Sequence, residues 1–85
     1  SYGEISPDVS TTYNNIGNLY SDQGNKSKAL EYYEKSLKID LSLYREDHPQ
    51  VATQYYNIGQ VYYSQKNYDK ALEYNEKALE VIEKF

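Results

Sequence analysis

Residues able to make or break covalent bonds are scarce in this 85-residue chain. It has no cysteine and one histidine, His48. That excludes a disulfide, a thiolate nucleophile and a histidine cluster for a metal. His48 stands alone beside Pro49, where it reads as a capping and packing residue rather than a proton carrier. No nucleophile–base pair, glycine-rich phosphate loop or metal-ligand spacing can be built. Carboxylates gather only on charged helix faces. The expectation is a non-catalytic chain with no cofactor and no metal. Asn25-Lys26-Ser27 matches a glycosylation acceptor, but no secretory leader pattern opens the sequence, so it reads as an ordinary turn.

What the chain does offer is hydrogen-bonding chemistry. From Pro49 to Gln65 not one residue is charged. A merely solvated helix face normally carries lysine or glutamate. A face of asparagine, threonine, glutamine and tyrosine instead presents amides, each with both donor and acceptor, which suits a peptide backbone. The net charge of −4 argues against nucleic acid, whose recognition needs a basic face. No apolar run approaches the roughly 20 residues that span a bilayer. Twelve tyrosines accompany one phenylalanine and no tryptophan, so the aromatic rings that fill the core margin also carry hydroxyls for water or a partner. The expected partner is a protein or peptide, in the cytoplasm, and neither nucleic acid nor membrane.

The elements that must position those amides follow from an internal repeat. Ala29-Leu30-Glu31-Tyr32-Tyr33-Glu34-Lys35-Ser36-Leu37 returns as Ala71-Leu72-Glu73-Tyr74-Asn75-Glu76-Lys77-Ala78-Leu79, 42 residues on. The same offset relates Tyr13 to Tyr55, Asn15 to Asn57, Ile16 to Ile58, Gly17 to Gly59 and Tyr20 to Tyr62. A fixed period of this size means a repeat architecture. Val9, Tyr13, Ile16, Leu19 and Tyr20 recur at helical spacing, as do Val51, Tyr55, Ile58, Val61 and Tyr62. Ser6 caps the first A helix and His48 or Asp47 the second, and Pro7 or Pro49 opens it. Gln23-Gly24-Asn25 and Gln65-Lys66-Asn67 are turns, with Lys66 expected to strain the second or change its geometry. The second helices place Leu30, Tyr33, Leu37, Leu41 and Tyr44, or Ala71, Leu72, Ala78, Leu79 and Ile82, on one face. Glu31–Lys35, Glu34–Lys38, Glu73–Lys77 and Glu80–Lys84 are i, i+4 pairs on the solvated side. Gly17 and Gly59 sit mid-helix at a cost of about 1 kcal/mol, which implies close helix–helix approach to Ala29 and Ala71. The unit is helix A, short turn, helix B, and a short turn makes each pair antiparallel.

At these residues the chain resembles the tetratricopeptide repeat family. Tyr13, Ile16-Gly17, Tyr20, Ala29, Tyr33 and Ser36 match its signature spacing, as do Tyr55, Ile58-Gly59, Tyr62, Ala71, Asn75 and Ala78. The 42-residue period and the His48-Pro49 ending are similar to the repeats of kinesin light chains. Asn75 departs from the aromatic position held by Tyr33, so the two repeats are expected to differ most there. The resemblance implies an all-α fold, an α–α superhelix built from two antiparallel helix pairs. Residues 1–6 are expected to be the tail and loop of a preceding repeat, 7–48 the first repeat, and 49–85 the second, with Phe85 standing where Leu43 does. The chain is read as a piece of a longer array.

The resemblance also implies a concave groove lined by the A helices, binding an extended peptide or a partner helix. Its positions carry over as Thr11, Asn14, Asn15, Asn18 and Asp22, then Thr53, Tyr56, Asn57, Gln60 and Ser64. In related arrays, asparagines at the level of Asn15 and Asn57 form a ladder along the bound peptide. The basic groove positions of relatives that clamp a terminal carboxylate are missing here. The alternative expectation is a self-associating array without a dedicated peptide ligand, stacking head to tail or exchanging helices. It rests on Leu72, Leu79, Ile82 and Tyr74 at one end, with Val9, Tyr13, Ile16 and Tyr20 at the other, which are expected to lack internal partners.

Overall fold

The computed structural model describes residues 5–84; residues 1–4 of the expected preceding tail, and Phe85, lie outside them. It has four helices and, among the described residues, no strand: α1 (Pro7–Asp22), α2 (Lys26–Leu43), α3 (Pro49–Ser64) and α4 (Tyr68–Ile82). Each starts at a side-chain cap that satisfies an otherwise orphaned amide. Ser6 Oγ accepts from Val9 N, Asn25 Oδ1 from Lys28 N, His48 Nδ1 from Gln50 N and Asn67 Oδ1 from Lys70 N. His48 also stacks on Tyr44 with ring centroids 4.1 Å apart, which fixes the connection between the repeats.

Helix α1 packs on α2, α3 on α4, and α2 on α3. Within the first pair Ser10 meets Ser36 and Asp40 while Gly17 meets Tyr33 and Ala29, so the helices run antiparallel. The two turns share one geometry: Gly24 has φ +85° and Lys66 φ 64°. The second turn is therefore not rearranged; Lys66 adopts the left-handed conformation that glycine adopts freely, at a steric cost.

The core lies where the two pairs meet, in Ala29, Tyr33, Ile58 and Val61, with Leu30, Leu37, Tyr20, Tyr62 and Tyr74 packed around it. Five members of the expected apolar stripes are exposed instead: Leu19, Leu41, Leu72, Leu79 and Ile82, Leu19 the most at 62%. Unexpected polar residues are inside, namely Ser10, Ser36, Asp40 and Gln54. Ser10 Oγ donates to Asp40 Oδ1 at 2.6 Å and lies 2.8 Å from Ser36 Oγ. Lys35 and Lys77 pair with Glu31 and Glu73 at 3.8 Å and lie over the rings of Tyr13 and Tyr32, or Tyr55 and Tyr74. Glu34–Lys38 and Glu80–Lys84 do not close. Such exposed pairs add little either way.

Candidate peptide-binding face

Residues Thr11, Asn14, Asn15, Asn18 and Asp22 fall on one stripe of α1, and Thr53, Tyr56, Asn57, Gln60 and Ser64 on the matching stripe of α3. The helix period brings each set to one face, and the repeat brings the two faces side by side. Thr11, Asn15, Asn18, Asp22, Thr53, Tyr56, Gln60 and Ser64 are exposed; Asn14 and Asn57 are half-buried.

The two stripes touch through one hydrogen bond. Asn57 Nδ2 donates to Asn14 Oδ1 at 2.7 Å. Asn57 thus pairs with Asn14 and not with its repeat counterpart Asn15. Each amide has further capacity, and among the described residues Asn14 Nδ2 and Asn57 Oδ1 take no intramolecular partner. Other groups on the face are partly spent. Asn18 Oδ1 accepts from the Tyr33 hydroxyl, and Thr53 Oγ1 donates to Pro49 O at 3.2 Å. Burial, reinforced by the nearby Asp22 carboxylate, pushes the Tyr33 phenol up, so it stays a neutral donor.

Beside Thr53 and Tyr56 opens a cleft of about 420 Å³, completed by Pro49, Ala52, Val81 and Ile82. Sequence reasoning missed this cleft, since Val81 and Ile82 come from α4 and meet Ala52 only in the folded hairpin. Charge is sparse along the whole face. Helix α3 has none, and α1 carries only Asp8 and Asp22, near its two ends. Among the described residues no three His, Cys, Asp or Glu side chains gather to hold a metal ion. No helix there is long and apolar enough to cross a membrane.

The repeated hairpin, the glycine in each A helix under a B-helix side chain, and the 42-residue step are now joined by a direct match: a tetratricopeptide repeat family model covers residues 8–84. The chain belongs to the tetratricopeptide repeat family. No curated protein matches the chain. Tetratricopeptide repeats are helical modules that generally serve protein–protein interaction and act as non-catalytic scaffolds. In this one the small signature residues Gly17, Ala29, Gly59 and Ala71 are all buried. They position the A helices; they do not form the accessible face.

Proposed function

We propose that this tetratricopeptide repeat binds an uncharged, extended segment of a partner protein across α1 and α3, without catalysis. The observation that carries the reading is the Asn57–Asn14 amide pair at 2.7 Å. It orients the two amides relative to each other and leaves Asn14 Nδ2 to donate and Asn57 Oδ1 to accept, the complement of a peptide unit. Asn15, Asn18 and Gln60 extend the amide row along the helices. Tyr56, 53% exposed, supplies a ring for side-chain contact. Lacking cations, the face offers a carboxylate no charge-assisted partner, so the segment is bound through its backbone and not its terminus.

The test is selection of peptides from a random library on the purified chain, followed by titration. Asn15→Ala and Asn57→Ala should each weaken the selected peptides about fivefold, near 1 kcal/mol per amide lost. Helical content by circular dichroism should not change. Unchanged affinity in the double variant, or failure to select any peptide, overturns the reading.

A further inference from the structure

Among the described residues, three helices start at a cap whose acceptor does not titrate: the Ser6 hydroxyl of α1 and the side-chain amides of Asn25 and Asn67 for α2 and α4. Helix α3 starts at His48, and there the acceptor is a ring nitrogen. Imidazole ordinarily changes charge between about pH 5 and pH 8, and only its unprotonated nitrogen accepts a hydrogen bond. The chain has no other histidine. The pH-sensitive cap thus stands at the connection between the two repeats.

The bond at stake runs from Gln50 N to His48 Nδ1 at 3.1 Å. Pro49 has no N–H to offer, so Gln50 carries the first amide donor of α3. The next two amides, of Val51 and Ala52, donate to the His48 carbonyl oxygen at 2.9 and 3.3 Å. A proton on Nδ1 turns the acceptor into a donor that faces another donor. The ring must then rotate away and leave Gln50 N to water, which reaches it because Gln50 is exposed.

A place for the charged ring already exists. His48 stacks on Tyr44 with ring centroids 4.1 Å apart, and Asp40 lies one helical turn before Tyr44 on α2. Asp40 is 3% exposed, and its Oδ2 is a buried acceptor without a donor. Burial raises the Asp40 carboxyl and the charge of His48 pulls it back down, so the two charges favour each other. The face of Tyr44 accommodates a cation as readily as the neutral ring. The other charges near this joint are weaker partners. Arg45 Nε and Asp47 Oδ1 already lie 3.7 Å apart on the connection, and Glu46 beside them is exposed. Helix α3 has no charged residue, and α1, which sets Ser10 against Asp40, has only Asp8 at that end.

We propose that His48 is a pH-sensitive joint between the repeats. Neutral, its ring caps α3; protonated, it gives up Gln50 and turns an N–H toward the unpartnered oxygen of Asp40. One partner is exchanged for another, so α3 stays folded while its first turn loosens. Pro49 of that turn accepts from the Thr53 hydroxyl at 3.2 Å, so acid pH loosens this end of the A-helix face. The inference does not depend on peptide binding by α1 and α3.

Nuclear magnetic resonance of the 85-residue chain from pH 8 to pH 5 tests it. The single histidine gives one set of ring signals, which reports its own protonation. Exchange of the Gln50 amide with water, corrected for the intrinsic effect of pH, should quicken about fivefold as the ring titrates. Over the same range the Overhauser contact between the ring and Gln50 N–H should give way to one with the Asp40 side chain, with helicity unchanged. His48→Asn keeps a capping oxygen that does not titrate, so its Gln50 exchange should show no such step. Asp40→Asn removes the carboxylate that receives the ring, so protonation of the ring should move to lower pH. Should either variant lose helicity, the exchange step and the Overhauser contacts of the wild type decide alone. Gln50 exchange that ignores the ring's titration, a charged ring that keeps its contact with Gln50, the same step in His48→Asn, or ring protonation unmoved in Asp40→Asn each overturns the proposal.

Discussion

The ring of Tyr33 lies so close over Gly17 that a Cβ added there would fall 2.7 Å from Tyr33 Cε1 and 3.3 Å from the carbonyl oxygen of Ala29. In the second repeat Asn75 replaces that ring, and a Cβ on Gly59 would meet Asn75 Oδ1 at 2.5 Å. The two glycines look alike in sequence and are constrained differently. Tyr33 is buried and tied to Asn18, so it cannot swing aside; the end of the half-buried Asn75 can rotate. Gly17→Ala should therefore cost about 2 kcal/mol, since overpacking outweighs the gain in helix propensity. Gly59→Ala should be nearly neutral. Urea denaturation of both variants decides it, and equal losses would contradict the account.

Asn75 Oδ1 is buried without a hydrogen-bond partner. Asn75→Tyr would place a ring over Gly59 as Tyr33 lies over Gly17, with its hydroxyl near Gln60, the repeat counterpart of Asn18. Removing an unsatisfied acceptor and burying a ring should raise stability by about 1–2 kcal/mol. A higher urea midpoint with unchanged slope is the expected reading.

Lys66, at φ 64°, is the one non-glycine residue in the left-handed region among the described residues, at the position held by Gly24 in the first repeat. Lys66→Gly should raise stability by about 1 kcal/mol, because relief of the Cβ clash exceeds the added entropy of the unfolded chain. Gly24→Lys should lower it by a similar amount. A thermal melt that moves the other way for either variant would count against the turn geometry.

Asp40 makes stability depend on pH. Burial pushes its carboxyl up; the hydrogen bond from Ser10, the neighbouring Gln54 side chain and the charge of His48 pull it back only in part. Asp40 Oδ2 and Gln54 Oε1 are both buried acceptors without donors. The folded state therefore holds the proton more tightly than the unfolded state. The stabilising contribution is complete below the unfolded carboxylate range and is lost as pH rises through the folded value. Asp40→Asn, which supplies a permanent donor, should remove that loss and stabilise the chain by about 1 kcal/mol at neutral pH. Denaturation midpoints measured from acid to neutral pH should fall with rising pH in the wild type more than in the variant.

Periodicity alone revealed the repeat, the four helices, their caps and their turns, because these depend on interactions within a few residues. It also located the uncharged stripe of α3, since charge is a property of the letters. Two kinds of feature escaped it. Nothing in the periodicity marks Ser10, Asp40 and Gln54 as buried, because polar side chains are buried only when folding gathers their partners from several helices. Leu19 and Leu41 read as core, because a helical stripe tells which residues share a face and not how much of that face a neighbour covers.

The site divides the same way. The amide row on each A helix was legible from spacing. That Asn57 would pair with Asn14 and not with Asn15 was decided by the packing of one hairpin on the next, and the cleft that Ala52 and Ile82 open beside Tyr56 by the packing of α4 on α3. By itself the sequence determined a family, a 42-residue period and the residue types on each helix face. The tertiary structure decided which copies of those faces are satisfied and which are left open, because burial depends on a neighbouring helix and identical letters in two repeats do not have the same neighbours.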